Sequence, residues 1–212
     1  MKVFRLIFCG VMATLAIAFS GCSPEELTIS ISTRAIRKAQ AGEIATAEVT
    51  AIFDASMDDA KANFSKIRNA VLPYLGDNAR MTLKKDKIIA TFTISILPEG
   101  VTNVPGRLPI CLTLRDGKLK VVETPMLKRM NRDLNNIDFS LEADLKAQSM
   151  IFSIEGDCSD APVVTATAAF VDSTPYVTYR ESIPARHSTQ IEFRCGDDSS
   201  IYKQITPFIE VK

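Results

Sequence analysis

Tryptophan is absent from this chain, and histidine occurs once, as His187. One histidine excludes any site built from two or more histidines within the chain, and a Ser-His-Asp triad would have to use His187 itself. That residue lies in the polar stretch Pro184-Ala185-Arg186-His187-Ser188, which reads as a surface loop. No serine stands in a G-x-S-x-G elbow, and no Walker or dinucleotide glycine pattern occurs. The cysteines lack C-x-x-C spacing, which argues against a zinc site or thioredoxin-like chemistry. An excess of charge is lacking as well: 25 basic residues balance 25 acidic ones, so there is no electrostatic case for nucleic acid. The sequence implies no cofactor.

What is present begins with a leader. Residues 1–21 combine Lys2 and Arg5 with the uncharged apolar run Val11–Phe19. That layout is a secretory signal peptide, and the run is too short to be judged a membrane span in its own right. Its end, Phe19-Ser20-Gly21-Cys22, resembles the lipobox of bacterial lipoprotein precursors, although Phe19 stands where leucine is usual. The resemblance implies that the bond before Cys22 is cut and that Cys22 carries several acyl chains, such as palmitate. Each buried methylene contributes about 0.8 kcal/mol, so several chains anchor stably where one binds reversibly. Residues 22–25 then form a short lipidated tether that holds the protein close to a membrane surface. Ser23 stands where enteric lipoproteins retained at the inner membrane commonly carry aspartate. The expected location is therefore the bacterial cell envelope, with the outer membrane favoured over the inner.

Export makes disulfides permissible. Setting aside Cys9 in the leader and the lipid-bearing Cys22, three cysteines remain: Cys111, Cys158 and Cys195. Cys158 and Cys195 each end an expected strand and are predicted to pair, leaving Cys111 as a buried small hydrophobe. Such a bridge would draw Asp157, Asp160, Asp197 and Asp198 together, where Ca²⁺ could relieve their repulsion through oxygen ligands. The plainer alternative is that these carboxylates fan out into water and no metal binds.

Periodicity divides the rest. Glu25–Ser32 alternates, with Leu27, Ile29 and Ile31 on one side. Thr33–Gln40 is a short helical or turn segment whose Arg34, Arg37 and Lys38 form a solvated basic face or, alternatively, a contact for lipid headgroups. Glu43–Asp54 is a second strand. Ala60, Phe64, Ile67, Val71 and Leu75 share one face of a helix that starts near Ser56 and stops at Gly76. Lys85-Asp86 turns a hairpin that pairs Leu83 with Ile88 and Met81 with Ala90. Asp116-Gly117 turns another, pairing Leu114 with Leu119 and Leu112 with Val121. Thr124-Pro125 opens a connecting helix.

Beyond it, Ile137, Phe139, Leu141, Ala143 and Leu145 alternate with polar residues as the clearest strand in the sequence. Further strands follow around Met150, Val164–Phe170, Tyr176, Ile191 and Ile205–Val211. The expected fold is α+β: an N-terminal helix packed on an antiparallel sheet over 26–123, a connecting helix over 124–136, and a C-terminal antiparallel β-sandwich over 137–212.

Two function classes fit these features. The first is a non-enzymatic, membrane-anchored envelope lipoprotein that binds an envelope protein or a glycan. The stretches Phe170-Val171-Asp172-Ser173-Thr174-Pro175-Tyr176 and Gln190-Ile191-Glu192-Phe193 are similar to an uncharacterised group of small lipoproteins of bacteria and their phages. That similarity implies the same setting and adds prophage surface exclusion as a variant role. The second class is a carboxylate-based, glycosidase-like hydrolase, which needs two carboxyl groups about 5–9.5 Å apart across a cleft. Pairs such as Asp58/Asp59 and Asp197/Asp198 are its candidates.

Overall fold

Alternation of apolar and polar residues recurs from Leu27 to Val211, and in the computed structural model the described strands form one sheet. The structure describes residues 24–212 except 57, 104–105, 107, 139–140, 142, 144–146 and 195–206; side chains 58 and 59 are also outside it. The strands are β1 (Glu26–Ser32), β2 (Ala45–Asp54), β3 (Arg80–Lys84), β4 (Lys87–Leu97), β5 (Ile110–Arg115) and β6 (Lys118–Glu123). They continue with β7 (Ser149–Glu155), β8 (Val163–Val171), β9 (Thr174–Ser182), β10 (Ser188–Arg194) and β11 (Phe208–Val211). Among the described residues three helices interrupt them: α1 (Thr33–Gln40), α2 (Asp58–Leu75) and α3 (Pro125–Asn135).

Hydrogen bonding runs β10-β7-β1-β2-β4-β5-β6-β11-β8, and β8 pairs back onto β10, closing nine strands into a barrel. β3 adds to β4 alone and β9 to β8 alone, both outside the ring. This overturns the expected sandwich and the expected helix-on-sheet half. The two halves of the chain share one sheet because β1 pairs in parallel with β7, Leu27 beside Met150 and Ile29 beside Phe152. A second parallel pair joins β4 to β5 through Ile96 and Leu112. Closure removes the free edges that two separate sheets would leave exposed.

The interior is continuous across these pairings. Val49 stands beside Ile29 and Phe92, Ile191 beside Phe152, and Val211 beside Val164, all buried. Large and small side chains share the space: Phe152 meets Phe193 edge-to-face at 6.1 Å, while β2 contributes Ala45, Ala47 and Ala51.

The hairpins form in the expected registers, Leu83 opposite Ile88 and Leu114 opposite Leu119. Thr124 caps α3 as expected, its hydroxyl accepting from Met126 N–H at 3.1 Å with Pro125 at the first helical position.

One strand reading needs correction, and another falls largely outside the described residues. Of the expected strand running from Ile137 through Leu145, residues 139–140, 142 and 144–146 lie outside them. Within its described part the buried amide of Asn131 on α3 donates to Ala143 C=O at 2.8 Å and accepts Ala143 N–H at 3.0 Å. Ile137, Leu141 and Ala143 pack against the core.

In β8 the buried set is Val164, Ala166, Ala169 and Val171, not the unbroken series through Ala168 and Phe170. Ala168 adopts φ +52°, and the face switches there. The switch frees Phe170 to lie under Arg194, whose guanidinium carbon is 3.7 Å from the ring centroid. The two stretches around Phe170 and Ile191 thus meet at the seam where the barrel closes, Phe170 beside Glu192 and Val171 beside Ile191.

Candidate functional site

The barrel has two differently built ends. At the end where β1 and β7 finish, α1 lies across the opening. Ser32 caps it, accepting from Ala35 N–H at 3.1 Å, and Ile36 and Ala39 point into the core. Thr33 is fully buried, and its hydroxyl donates to Asp157 Oδ1 at 3.1 Å and accepts Asp157 N–H at 3.0 Å. Asp157 Oδ1 also accepts Arg34 N–H at 2.7 Å, and Arg37 reaches Asp160 Oδ1 at 3.0 Å. Burial pushes the Asp157 carboxyl up, but the Arg34 amide and the Thr33 and Ser32 hydroxyls outweigh it and hold it below its ordinary value.

These contacts involve several of the expected site residues. Asp157 and Asp160 fasten α1, so their carboxylates already have partners. Asp197 and Asp198, the rest of the calcium candidate, lie outside the described residues, as does Cys195. Cys158 is a free thiol 3.2 Å from the Thr33 hydroxyl. Cys111 is buried, and loss of solvent raises its thiol pKa. Arg34 and Arg37 are committed to the far end of β1 from Pro24, one strand length of roughly 20 Å away. His187 is exposed in the Pro184–His187 turn, as expected. Gly156 permits that turn, since a Cβ there would sit 1.9 Å from Pro184 C=O.

At the opposite end, where the chain enters at Pro24, the opening is covered by α2 and α3, and a cavity of about 110 Å³ remains beneath them. Barrel residues Leu27, Ala51, Ala90 and Phe92 form its floor. Ile67, Val71 and Leu75 of α2 and Leu127, Met130 and Leu134 of α3 form its roof; Met81, Leu141 and Ala143 close the sides. Pro24 is itself part of the wall.

Among the described lining residues only Asp54 is polar. Its carboxylate accepts from Ser56 Oγ at 2.9 Å and Ser56 N–H at 3.0 Å, and those bonds lower its pKa. Around it stand the Glu25–Lys87 ion pair and the Lys61–Asp86 pair at 2.5 Å. The hydrogen bond with Glu25 raises the Lys87 pKa.

The helical roof is clasped from outside by Tyr74 of α2, whose hydroxyl donates to Asp133 of α3 at 2.6 Å. That bond raises the Tyr74 pKa. Two more open clefts, of about 330 and 370 Å³, flank Tyr74. Their lining carries one carboxylate each, Asp133 and Asp77. None of these three cavities presents the carboxylate pair a glycosidase requires. The side chains of Asp58 and Asp59 lie outside the described residues.

Comparison with protein-family models, curated proteins and solved structures finds no match. The site therefore rests on its own geometry.

The cavity was not visible in the sequence as a site. Its residues carry the same apolar signal as any core position, and only the gap between barrel floor and helical roof sets them apart. The one available hint was the small Ala face of β2 followed at once by an amphipathic helix. No helix among the described residues is long and apolar enough to cross a membrane.

Proposed function

We propose that this protein is a lipid-anchored lipoprotein of the bacterial cell envelope that works as a non-enzymatic binding module. One observation carries the reading: the apolar cavity is walled by Pro24, only two residues from Cys22. A lipid on Cys22 would place that end of the barrel against the membrane and the α1 end away from it. Two residues span about 7 Å at most, which leaves little freedom to turn the molecule over. The lining is suited to holding an apolar group and offers little to a glycan, which needs several convergent hydrogen-bonding groups.

The test is fractionation of cells expressing the full chain and its Cys22→Ser variant. The variant is expected to leave the membrane fraction or to accumulate as a larger, uncut precursor. Unchanged fractionation together with unchanged size would overturn the reading.

A further inference from the structure

We infer that the cavity at the anchored end holds the end of an aliphatic acyl chain; this rests on the reading above and names its ligand. The inner lining is supplied by leucine, isoleucine, valine, alanine, methionine and phenylalanine, so nothing inside would pair with a polar ligand group. An aliphatic tail needs no such partner. The volume of about 110 Å³ is of the order of an apolar cavity that stays dry and accepts benzene. That is room for a terminal stretch of several carbons rather than a whole lipid.

Polar groups gather where a headgroup would emerge. Asp54 lies on the wall, and Lys87 stands opposite it in the β2–β4 register, paired with Glu25 beside Pro24. The arrangement is that of an amphiphile site, with a dry interior and a charged rim. Two sources could supply the same chain: an acyl group carried by Cys22, or a lipid drawn from the membrane. The chemistry at the cavity is common to both.

The test uses the full chain with Cys22→Ser and a straight fluorescent fatty acid, cis-parinaric acid, with dodecanoate as competitor. Saturable binding of one chain per protein is expected, displaced by dodecanoate. Filling the cavity with Ala90→Phe should weaken it by about tenfold or more. Ala51→Leu, a smaller intrusion, is the second variant in case the first does not fold, and circular dichroism checks both. Val177→Ser, on the exposed strand β9, should leave binding unchanged. Absence of saturable binding by the folded protein, or binding indifferent to both cavity variants, overturns the inference.

The lipidated protein distinguishes the sources. Native mass spectrometry showing a co-purified lipid points to the membrane. No added mass, with parinarate excluded until Cys22 is replaced, points to the protein's own acyl chain. Failure here leaves the Cys22→Ser fractionation result intact, whereas failure of anchoring appears there whether or not parinarate binds.

Discussion

The two ends of the barrel solve one problem in opposite ways. Each opening exposes the apolar interior and must be covered. At the α1 end a single eight-residue helix does this, seated by buried Ile36 and fastened by a polar latch of Thr33, Arg34 and Asp157. At the other end two longer helices cover the opening and leave a gap. The closed end is short in sequence because α1 follows β1 without a linker, so its position is set by the strand. The covered end is assembled mainly from α2, which follows β2, and α3, which follows β6. Elements that converge from separate places pack less completely than one helix laid across a rim. A gap walled by apolar groups then becomes a place for a ligand instead of a seal.

Removing side chains should separate the ends most clearly. Ile36→Ala is expected to cost about 3–4 kcal/mol, because a fully packed site leaves a new cavity behind. Ile67→Ala, on the roof of the existing cavity, should cost nearer 2 kcal/mol, since some of its contacts are already missing. Urea denaturation measures both, and equal losses would erase the distinction drawn between the ends.

Adding volume should have opposite consequences. Ala47→Leu, inside the barrel away from the cavity, is expected to destabilise by about 1–3 kcal/mol through overpacking. Ala51→Leu, four residues on but at the cavity floor, should be neutral or stabilise by up to about 1 kcal/mol. Thermal melts of the two variants read this directly.

The latch brings a pH dependence to the closed end. The Asp157 carboxyl titrates below its unfolded value, so its contribution is present above that value, near pH 4, and is lost as pH falls through the folded pKa. Asp157→Asn should cost about 1–2 kcal/mol at pH 7 and flatten the acid limb of the stability profile. An acid limb identical to that of the unsubstituted protein would show that the latch does not set it. The smallest effect belongs to the clasp on the roof. Tyr74→Phe removes one hydrogen bond to Asp133 and should cost about 0.5–1.5 kcal/mol, with acyl-chain binding altered more than stability.

Local structure was legible from the chain alone wherever a short-range rule governed it. The Lys85-Asp86 and Asp116-Gly117 turns, the Thr124-Pro125 helix start and the buried face of α2 depend on residues a few positions apart. The Asn131 amide that holds Ala143 was not legible, because no local pattern names a side-chain partner on a neighbouring element. The switch at Ala168 was likewise hidden, since Ala168 and Phe170 continue the period perfectly and only closure against β10 and β11 selects Ala169 and Val171.

By itself, then, the sequence determined which segments alternate, where they turn and which face each would bury. Tertiary structure alone decided that β1 would lie beside β7 and β4 beside β5, because an apolar face accepts any apolar neighbour and parallel partners are far apart in the chain. Those two pairings joined the halves into one barrel in place of two layers. They also decided the site: once the barrel closed, Pro24 and the gap beneath α2 and α3 came to the same end.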